Sequence, residues 1–285
     1  MEIPFTKMCG LGNDFIIFDA SKGALHPALR FDRELIRNLS DRKSGIGCDQ
    51  MIVLEPSRRA DLYMRIFNAD GSEAEACGNA ARCVAFLSDR DQVTIETKGG
   101  ILNATVDSAV NPGVDAQDYQ RQALVRVTFP PPNFDWERIP LSHEPDVDDL
   151  SWFDLPQGHV VNVGNPHIVF FLEDVEHLDI ATIGPKIERD PLFPERVNVN
   201  FAQVLNPATI RLRVWERGVG ETDACGTGAC ATAVMAMHRL GHPRDGLEIL
   251  LRGGILNIAW PEEGPENGIV MCGAATKLYR GFVDL

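Results

Sequence analysis

Short apolar runs rich in β-branched and aromatic residues recur along this chain, set between polar turns. The first half carries DFIIFDA, QMIVLE, YMRIFN, QVTIETK and ILNATVD, and the second carries HIVFFLED, IRLRVWE, LEILLRG and ILNIAW. Runs of this length, broken by Gly and Asp turns, predict strands of a mainly antiparallel sheet, because such side chains suit a half-buried pleated surface. Two stretches break the pattern. NAARCVAFL (79–87) and GACATAVMAMHRL (228–240) are Ala-rich, lack Pro and are apolar almost all round, which predicts helices wrapped on every side by the strands of their own half. A third helix, DRELIRNLSDR (32–42), carries alternating charges and belongs on the outside. Residues 107–122, and the Pro-rich acidic stretch 130–151, read as a joint between halves plus a surface excursion.

The two halves repeat one another. LGNDFIIF (11–18) matches VGNPHIVF (163–170) and sets Asn13 over Asn165. YMRIFNADG (63–71) matches RLRVWERGV (211–219), and the same offset of 148 brings Cys77 onto Cys225 and Gly78 onto Gly226. TKGGILN (97–103) returns as LRGGILN (251–257). Three landmarks in one order mark an internal duplication. The expected fold is α+β, with two pseudo-symmetric domains, each a barrel-like sheet around a central helix, spanning 1–121 and 122–270.

Composition narrows the function. A chain of 285 residues has room for two ordinary domains, and its net charge of -14 lacks the basic footprint that nucleic acid or an anionic membrane surface requires. MEIPFTKMCG has no basic segment leading an apolar core, and no uncharged apolar run reaches bilayer length, so a soluble, cytoplasmic protein is expected. Seven cysteines, an odd number, argue against a disulfide scaffold.

The repeated Ala-Cys-Gly then carries the chemistry. Each Cys stands at the mouth of a buried helix, where unpaired N–H groups and the macrodipole favour a thiolate. The glycines that follow admit a ligand close to the backbone. Two domains facing each other would present two thiols to one bound acid across a cleft, an arrangement suited to removing a proton from one face of a carbon and returning one to the other. Cys9, Cys83, Cys230 and Cys272 lack matched flanks and read as packing. Three rival readings exist. GTGACA (226–231) fits a dinucleotide fingerprint without an evident parallel crossover around it; C-x₅-C and C-x₄-C spacings suggest a zinc module; and a duplicated amino-acid-binding protein needs no reactive thiol.

NADGSEAEACGNAAR and ERGVGETDACGTGACA resemble the two signature motifs of the diaminopimelate epimerase family, and GLGNDFIIFD, GIGCDQ, GNPHIVFF and FPERVNVNF look like its other landmarks in the same order. Proline racemase-like and phenazine-isomerase-like enzymes share the fold and parts of these motifs. The resemblance implies cofactor-independent, metal-free epimerisation of LL-2,6-diaminopimelate to meso-diaminopimelate, in lysine and peptidoglycan precursor synthesis. It implies Cys77 and Cys225 as acid and base, with family usage making Cys77 the donor and Cys225 the acceptor in one direction. His167 and Glu216 match assisting catalytic groups. Asn13, Gln50, Asn68, Asn165, Asn198, Glu216 and Arg217 match substrate-binding side chains, with Gly78, Asn79, Gly226 and Thr227 as carboxylate contacts. The resemblance further implies a homodimer, and return of the C-terminal segment 271–285 to the first domain. Cys48 and Trp215 depart from the family pattern.

Overall fold

The computed structural model describes residues 2–21, 30–107, 121–146, 150–262 and 268–285. Most of the expected joint, 108–120, lies outside the described residues, as do 147–149 of the expected excursion. In chain order come β1 (Glu2–Gly10), β2 (Asn13–Asp19), α1 (Arg33–Ser40), β3 (Gln50–Glu55), β4 (Leu62–Asn68), β5 (Glu73–Ala74), α2 (Gly78–Leu87), β6 (Gln92–Thr97), β7 (Gly100–Asp107) and β8 (Arg121–Phe129). There follow β9 (His159–Asn162), β10 (Pro166–Phe171), α3 (Ile180–Glu188), β11 (Asn198–Asn206), β12 (Thr209–Glu216), β13 (Gly220–Thr222), α4 (Gly226–Arg239), β14 (Leu247–Leu251), β15 (Gly254–Ala259) and β16 (Ile269–Asp284). The chain divides into two compact units, 1–127 with 273–285, and 128–272.

In the first unit the hydrogen-bonded order β1-β2-β3-β4-β6-β7-β8-β16 closes on itself, since β16 also pairs with β1. That closing pair is antiparallel and runs from Glu2↔Asp284 to Cys9↔Thr276, with one bulge after Lys7. Closure leaves no free edge for another chain to add to. Helix α2 packs on β1, β6 and β7 and is buried from Gly78 through Ala85. Its alanines are required by that surround, because a larger side chain there would overpack the core at a cost of about 1–3 kcal/mol.

The second unit follows the order β16-β15-β14-β12-β11-β10-β9, with α4 packed against β9, β10, β11, β12, β14 and β15. α4 buries Gly226 and every residue from Gly228 to Met237. Parallel pairings join β2 with β3, β4 with β6, β10 with β11, and β12 with β14. Parallel neighbours need a crossover between them. A helix supplies it each time, α1, α2, α3 and α4 in turn. GTGACA therefore does sit in a parallel crossover, contrary to the reading above. Alternation within a strand reports burial of one face and says nothing about the direction of the neighbour.

The echo TKGGILN/LRGGILN has a local cause. Gly100 (φ 131°) and Gly254 (φ 142°) open the returning strands of the β6–β7 and β14–β15 hairpins in a region closed to side chains.

α1 lies at the surface, as its charges predict. The Asp32 carboxylate caps it by accepting from the Leu35 N–H at 2.9 Å, and Ile36 and Leu39 are its buried apolar residues. α3 was not anticipated, because Gly184 and Pro185 interrupt its pattern. Tertiary burial of Ile180 and Ile187 holds it instead, with Asp179 as its cap. Nor is 130–146 only an excursion. Ile139 and Leu141 are 1 % and 5 % exposed and belong to the core of the second unit, and Trp136 packs on it.

Candidate active site

Both cysteines of the repeated Ala-Cys-Gly are helix N-caps with extended backbone. Cys77 Sγ accepts from the Ala80 N–H at 3.5 Å, and Cys225 Sγ accepts from the Gly228 N–H at 3.3 Å. A side-chain acceptor for the third N–H of a helix is the usual work of Ser or Asp. Sulfur does it here, and unlike a hydroxyl it is readily made anionic, at the helix end where negative charge is favoured.

Around Cys77 the first residues of β2 are fixed by a charge cluster, buried at Lys7 and exposed at Arg42. Asn13 Nδ2 donates to Asp49 Oδ2 at 3.2 Å, which leaves Asn13 Oδ1 3.9 Å from Cys77 Sγ. The Asp14 N–H shares the Asp49 carboxylate at 3.0 Å. Lys7, 5 % exposed, pairs with Asp14, and Arg42 Nη2 bridges Asp14 Oδ1 (2.6 Å) and Asp49 Oδ1 (2.7 Å). Burial alone would raise the Asp14 carboxyl, but hydrogen bonds from Arg42 and Lys7 hold it well below the usual carboxylate range. Gln50 and Asn68 face each other across β3 and β4, with Gln50 Nε2 donating to Asn68 Oδ1 at 2.9 Å and Asn68 Nδ2 to Ser72 Oγ at 3.0 Å. Gln50 Oε1 is buried with no hydrogen-bond partner among the described residues. Gly78 opens α2, and the buried Asn79 accepts through Oδ1 from Arg82 Nη2 at 2.9 Å.

Around Cys225 the contacts are denser. Thr227 Oγ1 lies 3.6 Å from the sulfur, and the Glu216 carboxyl acts on the thiol electrostatically. Glu216 Oε1 accepts from Thr222 Oγ1 at 2.5 Å, across the β12–β13 hairpin. Burial pushes the Cys225 thiol well above its ordinary value, the Glu216 charge adds to this, and the Thr227 and Gly228 hydrogen bonds only partly oppose them. The helix mouth therefore does not lower this thiol, contrary to the expectation from sequence, because desolvation outweighs the local dipole. Burial likewise pushes the Glu216 carboxyl up, against the hydrogen bond from Thr222.

His167 is wholly buried between two asparagines. Its Nε2 is 2.9 Å from Asn165 Oδ1, and its Nδ1 is 3.1 Å from Asn200 Nδ2. Burial drives the imidazole down to about 3, so it is neutral at pH 7. Asn165 Nδ2 donates to Thr227 Oγ1 at 3.3 Å. Asn198 donates to Pro166 O at 3.0 Å and accepts from the Arg217 N–H at 2.9 Å, while Arg217 Nη1 donates to Glu195 O at 3.1 Å. Gly226, buried, opens α4.

The structure thus groups Asn13 with Cys77, Gln50 with Asn68, Asn165 and His167 with Thr227, Glu216 and Thr227 with Cys225, and Asn198 with Arg217. Residues absent from the sequence reading hold these groups. Glu188, 2 % exposed, accepts from Trp215 Nε1 (2.8 Å) and the Gly218 N–H (2.9 Å), so α3 secures the hairpin that carries Glu216 and Arg217. Trp215 spends its N–H there. Asp49, Arg82 and Thr222 act likewise on Asn13, Asn79 and Glu216. Asn200 had a signal, the period-two spacing from Asn198 that puts both on one face of β11. Glu188 had none.

Among the other cysteines, Cys83 and Cys230 are fully buried, whereas Cys9 and Cys272 are only partly so. Cys48 is core packing, 2 % exposed, with its Sγ 3.4 Å from Ser40 Oγ. None of the seven stands in a disulfide. Among the described residues no three His, Cys, Asp or Glu side chains group as metal ligands, and no helix is long and apolar enough to cross a membrane.

The duplicated strand-and-helix frame that carries the two helix-capping thiols is a fold shared with solved structures. A phenazine biosynthesis protein of the PhzF family from Bacillus anthracis superposes with a TM-score of 0.65 at 18 % identity, each chain covered fully. A probable proline racemase from Agrobacterium radiobacter does so with 0.60 at 18 % identity, over 99 % of this chain and 92 % of its own. At such identities the likeness concerns the fold alone. Sequence goes further. The model of the family described as diaminopimelate epimerase matches residues 5–118 and 159–278. The diaminopimelate epimerase of Erythrobacter litoralis is 48 % identical over 286 residues, covering 100 % of this chain and 98 % of the relative. That of Sphingopyxis alaskensis is 49 % identical over 284 residues, covering 98 % and 97 %. The chain belongs to the diaminopimelate epimerase family, and so to the isomerases.

Proposed function

We propose that this protein interconverts LL- and meso-2,6-diaminopimelate without a cofactor, with Cys77 and Cys225 as the acid and base, in the synthesis of lysine and peptidoglycan precursors. The observation that carries the reading is the repeated N-cap thiol, found with matching flanks in a chain of this family. Each helix mouth adds amide donors, from Gly78 and Asn79 and from Gly226 and Thr227. These suit the carboxylate of an amino acid. When the α-proton leaves, negative charge grows on that carboxylate, so the same donors stabilise the transition state more than the ground state.

One thiolate removes the α-proton and the opposing thiol delivers another to the opposite face of the same carbon. Glu216 is the group to take the Cys225 proton, since its charge acts on that thiol and burial has raised its own affinity for protons. Paired acid–base groups supply roughly 10²–10⁴-fold, so the carboxylate donors must provide much of the remainder. Arg217 has the planar fork suited to the distal carboxylate, and Asn13, Gln50, Asn68, Asn165 and Asn198 can serve both ammonium and carboxylate. We read the protein as a cytoplasmic homodimer; Phe282 and Tyr279, 70 % and 48 % exposed on β16, support a further apolar contact.

The test is turnover of purified LL-diaminopimelate in deuterium oxide with no added cofactor. Early meso product should carry deuterium at the inverted carbon while unreacted substrate keeps its hydrogen. Product that retains substantial original hydrogen would overturn the two-base mechanism, and absence of any epimerisation would overturn the substrate. Cys77→Ala and Cys225→Ala should each lower the rate by several orders of magnitude.

A further inference from the structure

The internal duplication has diverged at one pair of buried positions. In the first unit β2 and β3 pair in parallel with Phe15 opposite Gln50 and Ile17 opposite Ile52. In the second, β10 and β11 pair in the same register with His167 opposite Asn198 and Val169 opposite Asn200. Where one unit has Phe15 and Ile52, both wholly buried, the other has His167 and Asn200, equally buried. Burying two polar side chains in place of two apolar ones is costly unless their hydrogen bonds do something in return.

The directions of those hydrogen bonds can be worked out link by link. Asn200 Nδ2 donates to the Ile168 carbonyl at 2.9 Å. A carbonyl only accepts, so this contact fixes the amide; of the two further acceptors beside Nδ2, His167 Nδ1 at 3.1 Å and Asn198 O at 3.4 Å, the nearer takes the second hydrogen. Turning the amide over would set two oxygens against each other. Asn200 Oδ1 is left buried without a partner among the described residues, against the bare face of Gly228, where a Cβ would come within 2.6 Å of it. The side chain is held for its donors.

With Nδ1 occupied as an acceptor, the single proton of the neutral imidazole is on Nε2. It is donated to Asn165 Oδ1 at 2.9 Å. Asn165 must then turn its Nδ2 to Thr227 Oγ1, which it meets at 3.3 Å. The Thr227 oxygen is thereby used as an acceptor, and its own hydrogen is available to Cys225 Sγ, 3.6 Å away. Every link runs one way.

We infer that Asn200 is a positioning residue: by fixing the His167 tautomer it sets the sense of a relay, Asn200 to His167 to Asn165 to Thr227, that presents a hydrogen-bond donor to the Cys225 sulfur. In the opposite sense Asn165 would donate to His167, Thr227 would donate to Asn165, and the sulfur would lose the Thr227 donor and keep only the Gly228 N–H. Glu216, on β12, is the charged group that faces Cys225, and Arg217 acts on His167 through its charge; neither fixes the tautomer. The inference rests on the proposed function only in treating Cys225 as a reacting thiol.

Two measurements without substrate test it. In full-length protein labelled with ¹⁵N-histidine, the His167 resonances, assigned by their absence from His167→Gln, should report the Nε2–H tautomer; the Nδ1–H tautomer would overturn the relay. Second, the pH midpoint for modification of Cys225 by methyl methanethiosulfonate should rise by about one pH unit in Asn200→Ala, the worth of one hydrogen bond to a charged group. Modification of Cys77 in the same peptide map should not move. Thr227→Val, which removes the last donor, should reproduce the shift. An unchanged Cys225 midpoint in a folded Asn200→Ala protein would also overturn the relay, and should that variant not fold, Thr227→Val and the wild-type tautomer decide. A protein that passes both tests but does not epimerise diaminopimelate would refute the substrate reading and leave the relay standing.

Discussion

Substituting Gly228 by Ala adds one methyl group inside the second unit, at the third residue of α4. Its Cβ would stand 2.6 Å from Asn200 Oδ1, 3.1 Å from Val214 Cγ2 and 3.3 Å from Cys225 Cβ. The first contact forces a movement. Asn200 cannot give way cheaply, because its Nδ2 is tied to Ile168 O at 2.9 Å and to His167 at 3.1 Å. Losing both bonds costs about 2 kcal/mol at roughly 1 kcal/mol each. Ala in a helix returns at most about 1 kcal/mol relative to Gly. The net loss of about 1 kcal/mol corresponds to a fall in melting temperature of about 2–4 °C. Activity should fall much further, on the order of a hundredfold, since a displacement near 1 Å of a reacting group has that effect. The Gly228 N–H that caps Cys225 survives in Ala, so the loss cannot come from the cap. Thermal melting followed by circular dichroism, beside steady-state epimerisation of LL-diaminopimelate, gives both numbers. A variant that melts higher than wild type with unchanged kcat/KM would show that Asn200 moves freely and that the packing argument is wrong.

Acidification should reveal His167. Burial depresses its imidazole to about 3 in the folded protein against about 6.5 unfolded, so between those values the unfolded chain binds the extra proton, and stability falls as pH falls from 6.5 toward 3. Urea midpoints across that window should flatten in His167→Gln; an unchanged slope would mean that His167 titrates normally. Glu188→Ala should destabilise the protein by about 3 kcal/mol, because it strands the Trp215 and Gly218 donors beside a lost carboxylate. A shift in the urea midpoint worth under about 1 kcal/mol would place the strength of that hairpin elsewhere.

Much of this molecule was legible in its sequence. Alternation marked YMRIFN and IRLRVWE as strands because one face of each is more deeply buried than the other. Uniform Ala-rich apolarity marked α2 and α4 as enclosed helices for the same reason. The family was legible too, since motifs of contiguous residues survive as text. What tertiary structure decided depends on groups far apart in the chain. Direction of pairing was one case, because a strand pattern is silent about its neighbour. The fate of the Cys225 thiol was another: a helix mouth argues for a low value from local sequence, while burial in the second unit, with Glu216 beside it, drives it the other way. α3 formed despite Gly184 and Pro185 because Ile180 and Ile187 found a core to enter. Asn200, one of the two Asn in VNVNF, took its meaning from a histidine 33 positions earlier. Dielectric environment and hydrogen-bond direction belong to the space around a residue, and a linear pattern records neither.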